Sequence, residues 1–395
     1  MRKKISTLLT CSVLLALSAC GLGSSGSDTD SDDTIKIGTL FSVSGAGANL
    51  GDKMRKGAEL AVKQVNADGG IDGKKIDWVF YDPAGDTSTA VQQTNRMLDS
   101  DGVELIVGGG GSSGIALAMD PITSGRGVAF IATEGARQIV EPAAEAHPLT
   151  FKTTFNDTVM VERLIAFWKA HDITRVAFMP DTSSFGQSAQ EELERLAPEA
   201  GIKVFTAAFD PAANDLTPQV KRLAGNDPQA YLAWTITPAG VTFLKNLRSV
   251  LGDSDVMVMH GFGFVDDRYM QQAGAASTGT ILVSPKLPVW DRIDASDPQQ
   301  PVMEDFATAY AEEYGGEQPN VYAGQAYDAM MVAVAALRAT GGDTDGEKIA
   351  DAVEALGTHV GVTGAFKFTA DDHSGLTVDD VAVIQWDGSR FVPVE

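Results

Sequence analysis

The chain has 395 residues, and its 53 acidic side chains against 30 basic ones give a formal net charge of −23 at pH 7. A length of this order suggests two or three domains. The strong negative charge argues against binding nucleic acid or an anionic surface through bulk electrostatics. Both cysteines, Cys11 and Cys20, lie near the N-terminus, so the rest of the chain has no thiol for catalysis or for a disulfide.

The N-terminus has the layout of a secretory signal. Basic residues 2–4 precede an apolar stretch at 5–17, which is too short to cross a bilayer comfortably, and small residues then lead to Cys20. The sequence Leu17-Ser18-Ala19-Cys20 resembles the lipobox of bacterial lipoproteins, in which the cysteine becomes the lipidated N-terminus. We therefore expect a signal peptide at 1–19, a lipid on Cys20 and an extracytoplasmic, membrane-anchored protein. An ordinary signal peptide with an incidental cysteine is the alternative.

A flexible linker is predicted next, because residues 20–33 are mostly Gly, Ser, Asp and Thr. Strand and helix patterns then alternate along the chain. Those of the first half are a strand at 35–38, a helix over 54–65, a strand at 76–80, a helix capped by Asp86, and strands at 103–107 and 128–132. This βαβαβ order predicts a parallel sheet with helices on both faces.

A second α/β series begins after Thr154. Its predicted strands lie at 175–179, 202–206, 230–234 and 256–259, and helical patterns at 159–170 and 239–250 separate them. The C-terminal part returns to helices at 325–339 and 346–356 and ends in strands such as 381–386. The fold class predicted is therefore α/β, with two doubly wound parallel sheets.

Several segments resemble one family. They are Phe41–Gly45, Gly57–Ala61, Asn66–Gly73, Tyr81–Pro83 and, near the C-terminus, Tyr322–Asp328. Their order and spacing are similar to those of the leucine/isoleucine/valine-binding proteins of ABC transporters, which have the type I periplasmic binding fold. The resemblance implies two lobes joined by three hinge crossings, with the ligand bound between the lobes. The lobe boundaries expected are 34–153 and 285–361 for lobe I, and 154–284 and 362–395 for lobe II.

The loop at 108–114 is rich in glycine and contains the spacing G-x-G-x-x-G. This spacing also occurs in dinucleotide-binding loops, but those follow the first strand of a series and this loop follows the third. Glycines let a ligand approach the backbone, and free N–H groups at a helix start attract anions. In the family that the chain resembles, the matching segment binds an amino acid's carboxylate, so we expect Gly110, Ser112 and Ser113 to hold a ligand carboxylate. A tight structural turn capped by the serines is the alternative.

The other ligand contacts are expected from loops that match the family's contact segments. They are Leu50, then Glu134, Gly135 and Ala136 after the fourth strand, and Phe185, Trp234, Ile236 and Phe262 from lobe II. For each aromatic, ordinary core packing is the alternative. Glu134 either accepts an ammonium group or lies solvated at the rim.

Phe262 departs from the family pattern. It stands where the family carries an acidic residue for the ligand's amine, and a buried ammonium needs a paired anion. Either Glu134 supplies that charge from the other lobe, or the ligand has no ammonium. A carboxylate with an aromatic or aliphatic body is one ligand that fits the second case.

No sequence motif points to catalysis. The five histidines are scattered without metal-ligand spacing, and no H-E-x-x-H occurs. We expect that the protein is not an enzyme and that it binds neither a cofactor nor a metal ion. The resemblance implies a monomeric, lipid-anchored solute receptor that binds an amino acid or related small carboxylate and delivers it to ABC permease subunits. A signalling receptor of the same fold and, less in keeping with the motifs, an extracellular α/β hydrolase are the alternatives.

Overall fold

The computed structural model describes residues 34–45, 47–252 and 254–394. The signal peptide, the lipidation site at Cys20 and the linker at 20–33 therefore lie outside the described residues, and those predictions stay predictions.

Five parallel strands form the first sheet, in the order β2-β1-β3-β4-β5. Its central strand β3 is buried along its whole length, as expected when helices cover both faces of a parallel sheet. The strands are β1 (Thr34–Phe41), β2 (Lys75–Tyr81), β3 (Leu105–Gly110), β4 (Phe130–Ala132) and β5 (Thr150–Lys152).

Seven strands form the second sheet, in the order β14-β13-β10-β9-β8-β6-β7. Five of them are parallel, whereas β13 runs antiparallel to both β10 and β14. The second sheet is therefore mixed at one edge, where the C-terminal hairpin adds without a crossover helix. The strands are β6 (Arg175–Pro180), β7 (Lys203–Thr206), β8 (Ala230–Trp234), β9 (Met257–His260), β10 (Ile281–Pro285), β13 (Val381–Trp386) and β14 (Phe391–Pro393), while β11 (His359–Val360) and β12 (Ala365–Phe366) pair separately.

Twelve α-helices of the described residues connect or cover these strands. They are α1 (Ala48–Ala67), α2 (Thr87–Arg96), α3 (Ser113–Ser124), α4 (Ala143–Ala146), α5 (Asp157–Ala170), α6 (Ser184–Leu196), α7 (Thr217–Ala224), α8 (Ala239–Leu251), α9 (Asp267–Ala273), α10 (Gln299–Glu313), α11 (Val321–Ala339) and α12 (Gly346–Glu354). The cap predicted at Asp86 is confirmed, since its side chain accepts a hydrogen bond from the Thr89 N–H.

The chain passes three times between the sheets. It leaves the first sheet after β5, returns after β10 to place α11 against α1, and crosses again after α12 to reach β13. This confirms the predicted class of two doubly wound sheets joined by three crossings. The exact lobe boundaries remain a prediction.

The last crossing is held by one buried acid of α11. The carboxylate of Asp328 accepts hydrogen bonds from the Val362 N–H (2.9 Å) and from the Thr363 N–H (2.8 Å) and hydroxyl. These bonds fix the crossing to the first-sheet side, because a buried carboxylate needs its donors. Within the described residues, no helix combines the length and the apolar character that a membrane span requires.

Candidate ligand cleft

A small cavity of about 30 Å³ lies between loops of the two sheets. We call it the cleft cavity. Its volume suits about one water molecule, so an organic ligand enters only if the loops move apart. Its lining residues are Met54, Gly111, Ser113, Thr133, Glu134, Gly135, Thr154, Phe185, Ile236, Phe262, Gly263, Tyr322 and Gln325.

Most of these residues lie just beyond the carboxyl ends of parallel strands. Gly111 follows β3, Glu134 follows β4, Phe185 begins α6 beyond β6, and Phe262 follows β9. In open α/β sheets, ligands bind at this edge. The cleft cavity therefore has the position of a ligand site, and it is built from both sheets.

Among the described residues, Glu134 is the one charged residue that lines the cleft cavity, and its side chain points at the glycine loop. Its Oε1 accepts hydrogen bonds from the N–H groups of Gly109 and Gly111, both at 3.0 Å, and from the Thr133 hydroxyl at 2.9 Å. Its Oε2 accepts the Thr133 N–H at 2.9 Å. Gly109 makes this approach possible, because a Cβ there would lie 2.3 Å from Oε2.

The environment of Glu134 acts on its charge in two directions. Burial raises the pKa of the carboxyl group, and the hydrogen bonds from Thr133, Gly111 and Gly109 oppose that rise by stabilising the ionised form. Only 5% of the residue is exposed. Within the described residues, no Lys, Arg or His forms an ion pair with it, although buried charges are usually paired. Among the described residues, hydrogen-bond donors therefore surround its carboxyl group, and the Lys152 ammonium acts on it through its charge without an ion-pair contact.

Aromatic rings from the second sheet form the opposite wall. Phe185 and Phe262 meet edge to face with ring centroids 5.3 Å apart, and Trp234 packs behind them at 5.7 and 5.6 Å. Such arrangements are the favoured ones for aromatic pairs. Phe185 owes its position to Ser183, whose hydroxyl caps α6.

The start of α11 contributes the polar side of the wall. Asn320 caps this helix by accepting the N–H groups of Tyr322 and Ala323. The cap sets Tyr322 and Gln325 one turn apart on the side facing the cleft cavity. The Tyr322 hydroxyl donates to the Gly263 carbonyl, and the Gln325 amide donates to the Thr154 hydroxyl at 2.8 Å.

Hydrogen bonds and ion pairs also join the two sides around the cavity. Arg137, from the segment after β4, contacts Glu191 and Glu192 of α6 at 3.0 Å each. Asn320 donates to Asp266, which follows β9, at 2.7 Å. These contacts hold the cleft shut, and the exposed ones among them contribute little each.

Lys152 lies behind the Gly135 loop and not in the cleft cavity. Its ammonium donates to the carbonyls of Gly135 (2.8 Å), Ala136 (3.2 Å) and Phe155 (3.3 Å). Burial lowers its pKa to about 8, and the charge of Asp157 acts in the opposite sense. All three hydrogens of the ammonium have acceptors, so this group is committed to the first crossing.

The structure brings six of the residues expected from the sequence to the wall of the cleft cavity: Ser113, Glu134, Gly135, Phe185, Ile236 and Phe262. Ligand contact by these residues remains a prediction. The Ser113 hydroxyl already accepts the Ala136 N–H at 3.2 Å. Glu134 is buried and not at a solvated rim, which removes one of its two alternatives.

Five expected residues do not line this cavity, and ligand contact by them also stays a prediction. Trp234 is fully buried behind the phenylalanines. Leu50 packs in the core one helical turn before Met54, which does line the cavity. The other three lie next to lining residues in the chain. A Cβ on Gly110 would meet Ile115 and Pro83, Ser112 is the residue before α3, and Ala136 donates its N–H to the Ser113 hydroxyl.

Sequence reasoning missed Met54, Gly111, Thr133, Thr154, Gly263, Tyr322 and Gln325. Tyr322 and Gln325 belong to a segment that carried the family resemblance, so that segment was the available signal. Thr154 lies at a crossing, where only the fold shows that it turns inward. Within residues 34–45, 47–252 and 254–394, no group of three or more His, Cys, Asp or Glu could hold a metal ion.

Comparison with known proteins identifies the family. Residues 34–390 match the family model described as periplasmic binding protein. The chain is 27% identical over 358 residues to the leucine-, isoleucine-, valine-, threonine-, and alanine-binding protein of Pseudomonas aeruginosa, with 90% of each chain covered. By its name, that relative is a binding protein.

Solved structures show the same fold. An extracellular ligand-binding receptor from Rhodopseudomonas palustris HaA2 has a TM-score of 0.84 at 21% identity, covering 91% of this chain and 99% of that one. A solute-binding protein of an ABC transporter from R. palustris, in complex with benzoate, has a TM-score of 0.78 at 20% identity, covering 91% and 95%. With a family model that spans nearly all of the described residues, this chain belongs to the periplasmic binding proteins.

Proposed function

We propose that this protein is the lipid-anchored solute-binding component of an ABC importer. It captures a small solute between lobes with the boundaries predicted from the sequence, and it delivers the closed complex to permease subunits. The observation that carries the proposal is the cleft cavity, whose wall comes from both sheets at their carboxyl ends. Family membership implies a location outside the cytoplasm, which agrees with the predicted signal and lipid on Cys20.

Hinge closure follows from this geometry. Phe185 and Phe262 lie beyond β6 and β9 of the second sheet, whereas Glu134 and Gly135 follow β4 of the first. A ligand that contacts both sides binds the closed form better than the open form and therefore shifts the population toward closure. We expect the protein to act as a monomer without a cofactor.

The class of ligand is the open part of the proposal. The relatives favour an amino acid or related small carboxylate, since one is named for amino acids and another holds benzoate. The apolar and aromatic walls suit an aliphatic or aromatic body in either case. Whether the polar end of the ligand carries an ammonium group depends on whether Glu134 pairs with it.

A thermal-shift screen tests solute capture, because a ligand of the folded state raises the melting temperature. Amino acids, aromatic and aliphatic acids and the corresponding amines form the panel, and calorimetry of the hits gives Kd. At a ligand concentration of 100 Kd, the stabilisation is about 2.7 kcal/mol. A panel without a single hit would argue against solute capture. Loss of uptake on deletion of the gene separates an importer from a signalling receptor.

A further inference from the structure

Two anion-binding groups of the glycine loop are occupied by the protein's own carboxylate. The N–H groups of Gly109 and Gly111, in the loop where the sequence predicts a ligand carboxylate on Gly110, Ser112 and Ser113, both donate to Glu134. A ligand carboxylate that bound to these two N–H groups would have to displace Glu134 or lie against it. Two carboxylates at such a distance repel each other strongly in a buried site.

No cationic side chain compensates a negative ligand in the cleft cavity: within the described part of the chain, Lys, Arg and His are absent from its lining residues. Lys152 is nearby, but its three hydrogens are all directed at backbone carbonyls, and its charge is opposed by the buried Asp157. The described lining residues therefore include one acid and no cation, and the Lys152 charge that acts on Glu134 comes from behind the Gly135 loop.

The same features suit a positive ligand. Glu134 Oε2 accepts one hydrogen bond within the described residues, and a carboxylate oxygen has room for a second. The rings of Phe185, Phe262 and Tyr322 form the surrounding wall, and aromatic faces attract cations, most strongly in desolvated sites. An ammonium group would thus find an anion on one side and aromatic rings on the other.

We propose that the cleft binds a small amine that has an aliphatic or aromatic body and no carboxylate, with its ammonium group on Glu134. This inference rests on the proposed function, since it assumes that the cleft opens and captures a solute. It assigns the glycine loop a different role: the loop holds Glu134 in its ionised, ligand-facing position and does not hold the ligand.

Matched compounds with one body and different charged groups test the inference by calorimetry. One series is 2-phenylethylamine, phenylalanine and 3-phenylpropanoate, and the other is isopentylamine, leucine and 4-methylpentanoate. In at least one series, we expect the amine to bind ten-fold or more tightly than both the amino acid and the acid. An acid or amino acid that binds as tightly as its amine would overturn the inference while leaving solute capture intact. If no compound of any class binds, solute capture itself fails.

Two variants separate the charge from the shape of the site. Glu134→Gln keeps the size of the side chain, and we expect it to weaken amine binding at least ten-fold while its effect on the acid is weaker or of opposite sign. Phe185→Leu keeps an apolar wall without the ring, and we expect about five-fold weaker amine binding. Because Phe185 lies on the other side of the cleft, this variant still tests the aromatic contact with the amine if Glu134→Gln does not fold. Unchanged amine affinity in either folded variant would contradict the inference.

Discussion

A methyl group at Gly135 is expected to prevent full closure of the cleft. A Cβ at this position would lie 2.7 Å from Cε2 of Phe185 and 2.8 Å from Cζ of Phe262. Carbon atoms prefer separations of about 3.5–4.0 Å, so both rings would have to withdraw by about 0.7–0.8 Å. The rings pack against each other and against Trp234, and they cannot withdraw separately.

The cost falls on the closed state alone, because Gly135 and the two rings come from opposite sides of the cleft. Overpacking of this kind costs about 1–3 kcal/mol, which corresponds to roughly a 5- to 150-fold rise in Kd for Gly135→Ala. The backbone of Gly135 does not have a positive φ. The substitution should therefore leave the free energy of unfolding of the open protein unchanged or slightly higher.

Gly114→Ala is the matched control. A Cβ there also faces the opposite side of the cleft, but it would lie 3.5 Å from the Ser184 hydroxyl oxygen, an ordinary contact. Calorimetry with the tightest-binding compound of the panel gives Kd for both variants, and urea denaturation gives their stability. Wild-type affinity in Gly135→Ala, or an equal loss in Gly114→Ala, would refute the idea that contact between these rings and Gly135 closes the cleft.

Three further predictions concern the fold and the anchor. Asp328→Ala should lower the urea midpoint without changing the slope, because two buried N–H groups, of Val362 and Thr363, lose their acceptor at about 1–3 kcal/mol each; a loss under about 0.5 kcal/mol would contradict this role. Burial lowers the pKa of His260 from 6.5 to about 3, so the unfolded chain binds the extra proton and stability falls as the pH drops below about 6.5. The loss between pH 7 and 5 is about 2 kcal/mol by linkage, and His260→Gln should show a correspondingly smaller fall in parallel denaturation series; equal falls would exclude the histidine as its source. The Cys20→Ala protein should be absent from the membrane fraction yet bind ligand with wild-type affinity. If this variant remains in the membrane fraction, the lipid anchor on Cys20 is excluded.

Much of the fold could be predicted from local patterns. The apolar alternation that begins at Ile35 corresponds to β1, and the helical spacing at 159–170 corresponds to α5, which begins two residues earlier. Such elements follow from periodicity, because a buried face needs apolar residues at the repeat of the strand or helix. The pattern could not show β5, since three residues, Thr150–Lys152, are too few to establish a period.

The cleft was predictable in part. The loops after β3, β4, β6 and β9 were expected to meet, because strand ends of a parallel sheet share one edge. Tyr322 and Gln325 reach the same cavity from a helix some 190 residues after Glu134 in the chain, and only the crossing between the sheets brings them there. No local pattern carries information on a contact of that sequence separation.

By itself, the sequence determined the α/β class and the glycine loop at a helix start, and the family resemblance predicted Phe262 in the place of an acid. The tertiary structure decided where the charge of Glu134 lies. Glu134 reaches Gly109 across 25 residues because β3 and β4 are neighbours in the sheet, and because Gly109 has no side chain in the way. Adjacency of strands and free volume are properties of the packed sheet, so only the structure could show that the loop predicted to bind a ligand's carboxylate already binds one of the protein's own.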